Sequence, residues 1–522
     1  MLEDALAAFL KHIRPERAFD EPLMALLRAE GFERVRLTHG NTEFGKDIIA
    51  QRDGEQWAWQ SKIGDVTQNF RDMAGQLDEL RISNIAHPDF DLSLPRRAVL
   101  VTTGRLKGNG IISMREYNER AAARGEPELE HWDRDILVGK LAGNPDAALR
   151  GTVDGRLLSL LGVIDARTVT MDDLDAFSRR WELWEPDRVA GIGVLECAIV
   201  CDRLRASDRL DLACHAALCL VRAAGAATFD ADAEQPAILG GEALFSDCAR
   251  QLWAECDARQ LSEDGMVAFS GQRAWATYAL RCVRLAELLG LLAIMVEDDE
   301  PALAAEIIAW LAQFVQAQPG TAHAPGDRYA VSGVPVVLAL HRGGETASAK
   351  HLVERSAVWM ADRYDSDELG LADHQATPRE EIDRILGASF EAVREPRRRE
   401  SHLAAVLLDL CALLSFSELY ALIRNDVLAV NALPAQLLPG EGVDRLLQTG
   451  PSNRWDVNPD YSDELGTQTA APHLDLARSA AAMPKREAWR LLAASAALRD
   501  RHFVTAIAAL ATAPTREPAQ ET

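Results

Sequence analysis

Strand-forming patterns stop early in this chain. Up to about residue 145, alternating and continuous apolar runs are interleaved with amphipathic helical windows; from about 170 onward the strand signals almost vanish and Ala/Leu-rich windows recur at helical spacing. A chain of 522 residues is too long for one ordinary core, and this break says where the cores divide. The expectation is a multidomain protein. An N-terminal α/β domain (a mixed central sheet flanked by helices) covers 1–145, a helical connection covers 146–185, and a large all-α domain covers 186–522.

Within the first part, LEDALAAFLKHI (2–13) and DEPLMALLRAEGF (20–32) read as short amphipathic helices, the second stopped at Gly31. ERVRLTH (33–39) alternates as a strand does. KDIIAQRDGEQWAWQSKI (46–63) reads as a hairpin turned at Asp53-Gly54. A helix is expected over 66–85, a buried strand in RRAVLVTT (96–103), a helix over 111–124, and a last strand running into a helix in ELEHWDRDILVGKL (128–141). Helices and strands alternating around a short sheet make an α/β or α+β domain. Beyond it, helical windows fall at 187–206, 208–225, 241–260, 271–295, 301–317, 347–362, 378–394, 401–425 and 472–512. Thr377-Pro378-Arg379-Glu380 has the form of a capping box, and the acidic run 297–300 before Pro301 suits a helix start. Stacked helix pairs are one arrangement these windows allow, and no fixed repeat period emerges. The stretch 439–468, rich in Gly, Pro, Asn and Asp, reads as a long loop or insertion.

Apolar residues at 48% and charged residues at 26% describe a folded protein, not a disordered one. The longest apolar runs, such as 402–416, are too short to span a bilayer and contain Asp409, and no basic-then-apolar leader opens the chain; a cytoplasmic protein with no membrane partner is expected. Eight cysteines over this length are no disulfide scaffold. Cys197, Cys201, Cys214 and Cys219, near His215, lack C-x-x-C spacing and sit in apolar helical surroundings, which reads as buried thiols in preference to zinc. The net charge of −24 argues against a nucleic-acid partner until it is divided: residues 1–145 hold 20 Lys+Arg against 24 Asp+Glu, so most of the acidity lies further on.

The segment WAWQSK carries the chemistry. Alternation puts Trp57, Trp59 and Ser61 on one face of a strand and Ala58, Gln60 and Lys62 on the other. The tryptophans suit a core, while Gln60 and Lys62 project together beside a small residue. Lysine is rare here, seven against 49 arginines, so Lys62 is not a default choice. The hairpin register brings Asp47 close to Gln60. An Asp carboxylate, a side-chain amide oxygen and a backbone carbonyl form a hard-oxygen set suited to Mg²⁺. Such an ion activates water and neutralises phosphate charge, and a neighbouring Lys orients the attacking water.

This arrangement resembles the PD-(D/E)xK nuclease superfamily, and within it the Mrr-like restriction endonucleases, over about 19–141. The motifs are Phe19-Asp20-Glu21 followed by Leu26-Leu27 and Gly31-Phe32; TEFGKDI; Gln60-Ser61-Lys62; Val101-Thr102-Thr103-Gly104; and His131-Trp132-Asp133 to Leu137. Glu43 stands where the Mrr type usually has Asp, and Phe19 is one residue removed from Glu21. The resemblance implies a restriction-endonuclease-like fold and a Mg²⁺-dependent endodeoxyribonuclease, with Mn²⁺ an alternative ion. Asp47, Gln60, Lys62 and Glu21 would be catalytic, and Asp47, Gln60 and the Ser61 carbonyl would hold the metal. It also implies defence against phage or foreign DNA as the setting.

Arg105 and Lys107 in TTGRLKGNG, and Gln68, Arg71 and Gln76 after the Lys strand, are candidates to touch DNA. The phosphate-loop spacing is absent. The basic run Arg394 to Glu400 reads as a solvated helix junction before a nucleic-acid contact. Cutting both strands needs two sites, which makes a homodimer or higher oligomer an expectation, and the helical domain would sense, scaffold or dock an activator protein. The alternatives are a non-cleaving nucleic-acid-binding or scaffold protein, and a nuclease subunit of a larger sensor complex.

Overall fold

The computed structural model describes residues 2–14, 16–38, 45–67, 70–148, 155–226, 236–256, 260–262, 266, 274–365, 369–374, 376–385, 398–435, 437–438, 456–457 and 483–512. The chain divides into two compact units that do not follow the boundaries expected from sequence order. Residues 1–169, 183–207 and 233–241 make the first, and 170–182, 208–232 and 242–522 the second. Stretches of the helical region therefore belong with the sheet, a division that helical periodicity does not report.

The first unit is built on a five-stranded mixed sheet in the order β1-β2-β3-β4-β5: β1 Glu33–Leu37, β2 Ile48–Arg52, β3 Glu55–Lys62, β4 Arg96–Thr102 and β5 Leu129–Trp132. β1, β2 and β3 are antiparallel neighbours, whereas β3, β4 and β5 run parallel. The hairpin turns at Asp53 and Gly54, both with positive φ (53° and 75°), the conformation that matches the twist of paired strands. β4 is buried from Ala98 to Thr102, as a central parallel strand must be.

Both faces are covered. On one, Phe32 meets Trp57 and Trp59 edge-on, Trp59 lies against Trp132, and the guanidinium of Arg52 sits 4.2 Å above Phe32. On the other, Ile49, Ala58, Ala98 and Leu100 pack with Phe70, Leu77, Leu80 and Tyr117, supplied by α3 (Ala74–Ile82), α4 (Asn109–Ala123) and the turn before α3. The helix expected over 66–85 is thus shorter: Val66 pairs with Leu106 in place of joining it. α1 (Leu2–His12) packs on α5 (Arg134–Gly143) and on the helix Val194–Ala206 of the same unit, and α2 (Asp20–Ala29) leads into β1. Asp133 caps α5 by accepting from the N–H groups of Asp135 and Ile136.

The second unit is largely helical. Ala274–Val296 lies against Gly333–Arg342, and the approach is close: a Cβ on Gly290 would stand 2.9 Å from the Pro335 carbonyl carbon. Leu210–Ala226 packs on Met171–Ser178 and Lys485–Leu498. The Thr377–Glu380 capping box forms, with the Glu380 carboxylate accepting from the Thr377 N–H at 2.6 Å, and Pro301 opens its helix at the first turn. The single window 401–425 is two helices, His402–Leu413 and Ser417–Ala429, parted at Ser415 with φ of 59°. The stretch 439–468 lies outside the described residues except Asp456–Val457, which pairs with Leu437–Leu438. Among the described residues no helix is long and apolar enough to cross a membrane.

Candidate active site

Three of the four residues named for catalysis meet at one end of the sheet. β2 and β3 are antiparallel, so the start of β2 and the end of β3 share that end; Ile48 pairs with Trp59, which leaves Asp47 beside Gln60 and Ser61. The Asp47 N–H donates to the Trp59 carbonyl at 2.8 Å, and its carbonyl accepts from the Thr38 N–H at 2.9 Å. Its backbone is therefore fixed from both neighbouring strands. Its carboxylate turns along β3 and accepts from the Ser61 N–H (2.7 Å) and the Ser61 hydroxyl (3.2 Å). Because N–H and C=O of one strand residue point to the same side, the Ser61 carbonyl faces the side Asp47 occupies.

Gln60 is 4% exposed. Its amide N–H donates to the Gln76 side-chain oxygen of α3 at 3.0 Å, while its own oxygen is buried with no hydrogen-bond partner. A buried carbonyl in that state costs stability; the indole N–H groups of Trp57 and Trp59 share that state, but they are donors, and the Gln60 oxygen is an acceptor of the type a cation takes. Lys62, half-buried, shares Gln60's face at the carboxyl end of β3, where its carbonyl accepts from the Thr103 N–H at 3.1 Å. The loops after β3 and β4 touch there: a Cβ on Gly104 would lie 2.2 Å from the Gly64 carbonyl carbon. Crevices outside the carboxyl ends of parallel strands are where ligands of α/β sheets collect.

Glu21 does not join these groups among the described contacts. It is exposed and lines a cleft of about 720 Å³ with Arg28, Asn144 and Arg203, and none of Asp47, Gln60 or Lys62 borders that cleft. Its neighbour Asp20 is buried. Glu43 and Gln68 lie outside the described residues. Arg71 is exposed in the turn before α3. Arg105 and Lys107 are exposed but engaged: the Arg105 guanidinium meets Asp135 at 2.9 Å and the Lys107 ammonium meets Asp65 at 2.6 Å. The Lys107 hydrogen bond, then the Arg105 N–H, hold the Asp65 carboxyl below its usual range. Of the basic run, residues 394–397 lie outside the description; Arg398 is turned inward, against Asp327 at 3.0 Å.

Sequence reasoning missed Lys46. Its side chain is fully buried and its ammonium donates to the Glu79 carbonyl of α3 at 2.7 Å. Burial, followed by the charge of Arg96, lowers its pKa to about 8 against the opposing pull of Glu79. Next to it, Gly45 has φ of 69°, and a Cβ there would stand 2.5 Å from the Gln76 carbonyl oxygen. The tetrapeptide FGKD held the signal, since a Gly-Lys pair before a candidate ligand is a request for close packing.

In the second unit Asp175, His215 and Cys219 bring ligand-type atoms within 4.8 Å of one another. Their protons already point inward: His215 sits 2.8 Å from the Asp175 carboxylate, the Cys219 thiol lies 3.5 Å from it, and the Arg328 guanidinium approaches to 4.0 Å. Burial pushes the Cys219 thiol far up, so it stays protonated. The carboxylate is answered by its own neighbours, although His215 Nδ1 is buried without a partner, and a cation would have to displace the imidazole and thiol from the carboxylate in the presence of an arginine.

No family model matches the chain, and no curated protein or solved structure matches it either.

Proposed function

We propose that the first unit is a divalent-metal-dependent nuclease of the Mrr-like, PD-(D/E)xK kind, acting on DNA. The observation that carries the reading is the Gln60 side-chain oxygen, buried without a partner beside a carboxylate fixed on the next residue. The donor set fits the ion: the Asp47 carboxylate, the Gln60 amide oxygen and the Ser61 carbonyl are all hard oxygens, with only one formal charge among them, suited to Mg²⁺ or Mn²⁺ that keeps several waters. Bound there, the ion supplies charge neutralisation at phosphate and a water of lowered pKa. The protein's part is positional. Ser61 holds the Asp47 carboxylate, β3 aims Lys62 from the same face as Gln60, and a lysine there orients a nucleophilic water and balances phosphate charge. The largely helical second unit acts as sensor, scaffold or docking platform. Defence against foreign DNA is the setting that the resemblance, not the geometry, suggests.

The test is cleavage of duplex and single-stranded DNA by the full-length chain with Mg²⁺ or Mn²⁺, beside Asp47→Ala and Lys62→Ala. Metal-dependent cleavage that falls on the order of 10³-fold in both variants supports the reading. Cleavage unchanged in either removes that residue from the chemistry. DNA binding without cleavage by the parent chain favours the non-cleaving alternative.

A further inference from the structure

We infer that Gln76 is a positioning residue that decides which atom of Gln60 faces the cation; this rests on the nuclease reading above. An amide side chain is ambiguous at a metal site. Its oxygen is a ligand and its nitrogen, which carries two hydrogens and no free lone pair, is not. Something must choose between the two orientations. In this structure the choice comes from α3, where the Gln76 side-chain oxygen accepts the Gln60 N–H at 3.0 Å. With the nitrogen engaged there, the oxygen is left in a buried position without a partner. The helix can do this because it is tightly docked on the strand lead that carries Asp47. Gly45 allows the Gln76 backbone to approach, and Lys46 ties itself to Glu79 one turn further on. One helix therefore registers both metal-binding side chains, Asp47 through its lead and Gln60 through Gln76. Gln76 itself is exposed, so its side chain adds little to the core and its substitution leaves the fold standing.

A carboxylate needs no such guidance, since both of its atoms are ligands. This gives a test with an internal control. Mn²⁺ binding by calorimetry and the Mg²⁺ concentration for half-maximal cleavage are measured on the full-length chain, Gln76→Leu, Gln60→Glu and the double variant. Gln76→Leu is expected to raise the half-saturating Mg²⁺ and weaken Mn²⁺ binding roughly 10–100-fold, with the cleavage rate recovering at saturating metal. Gln76→Glu, which can only accept, restores parental binding. In the Gln60→Glu background, Gln76→Leu has little effect. A parental half-saturation in Gln76→Leu overturns the inference, and so does an equal loss in both backgrounds, which would mark a merely structural contact. Both outcomes leave the nuclease reading intact. If the parent neither binds Mn²⁺ nor cuts, the nuclease reading itself falls and takes this inference with it.

Discussion

Two clusters of polar groups can be set side by side, each a half-buried carboxylate with two buried partners: Asp47–Gln60–Ser61 in the sheet and Asp175–His215–Cys219 in the helical unit. By ligand type the second is the better metal site, with an imidazole, a thiol and a carboxylate within 4.8 Å. By hydrogen bonding it is the worse one. Its carboxylate receives His215, Cys219 and Arg328, whereas the sheet cluster holds a bare carbonyl oxygen on Gln60, next in the chain to the Ser61 N–H that fixes the Asp47 carboxylate. Each holds one unanswered lone pair, the Gln60 oxygen in the sheet and His215 Nδ1 in the helical unit; what distinguishes them is that the helical carboxylate already receives a thiol, an imidazole and an arginine. Residue types alone would have ranked them in the opposite order.

The comparison breaks most decisively by paired substitution. Asp47→Ala is expected to abolish metal-dependent cleavage, whereas Asp175→Ala should leave the cleavage rate per folded molecule as it was and lower the unfolding midpoint. Loss of cleavage in a fully folded Asp175→Ala chain would mean that the helical cluster is functional and that the hydrogen-bond criterion has misled.

A second effect, on stability, belongs to the helical unit alone. Glu287 is fully buried and its carboxylate takes Arg499 at 2.7 Å together with Arg284, both nearly inaccessible. Glu287→Leu strands two guanidiniums, and stranding a buried charge costs about 3–5 kcal/mol. Urea unfolding should show it. A loss below about 1 kcal/mol would show that water reaches these arginines.

How much of this was legible in the chain depends on the distance over which each contact acts. The hairpin at Asp53-Gly54, the alternation of WAWQSK and the Thr377–Glu380 box are local, and periodicity or turn chemistry reports them. The docking of Gly45 on Gln76 joins residues 31 apart in a direction no pattern encodes, so Gln76 was visible only as a candidate to touch DNA. Arg105 and Lys107 looked like phosphate contacts because their partners Asp135 and Asp65 lie on other elements. Asp175 stands 40 residues from His215, and a cysteine-spacing rule cannot see a carboxylate. The break between the units escaped because helices 183–207 have the same composition whichever core they join.

The third way to sharpen the contrast uses pH. His402 is buried, and burial, then the adjoining His502 and His374, hold its pKa well below 6.5, with Asp409 and the bonds to Asp327 opposing. It stays neutral in the fold and takes up a proton on unfolding, so its stabilisation is present above pH 6.5 and lost as the pH falls. Glu381, whose pKa burial raises to about 7, acts in the opposite sense between 4.5 and 7. A difference measurement separates them: the stability of His402→Gln relative to the parent should rise by about 1 kcal/mol between pH 7.5 and 5.5. A constant difference would mean that His402 binds its proton alike in the folded and unfolded chain, and a change of opposite sign that it is already charged in the fold.

The smallest effect tests whether the sheet unit's basic loop belongs to the site or merely to the surface. Arg105 and Asp135 are both about half exposed, and solvent screening leaves such a pair with little effect on stability, so Arg105→Ala should hardly move the unfolding midpoint. A guanidinium held that weakly can exchange a carboxylate for a phosphate at little cost. If DNA passes over the loop, Arg105→Ala weakens binding uniformly across sequences and reduces the salt slope by about one. Asp135→Asn, which releases the guanidinium, then strengthens binding. Opposite signs for the two substitutions mark a phosphate contact, while no change in either confines Arg105 to its pairing with Asp135.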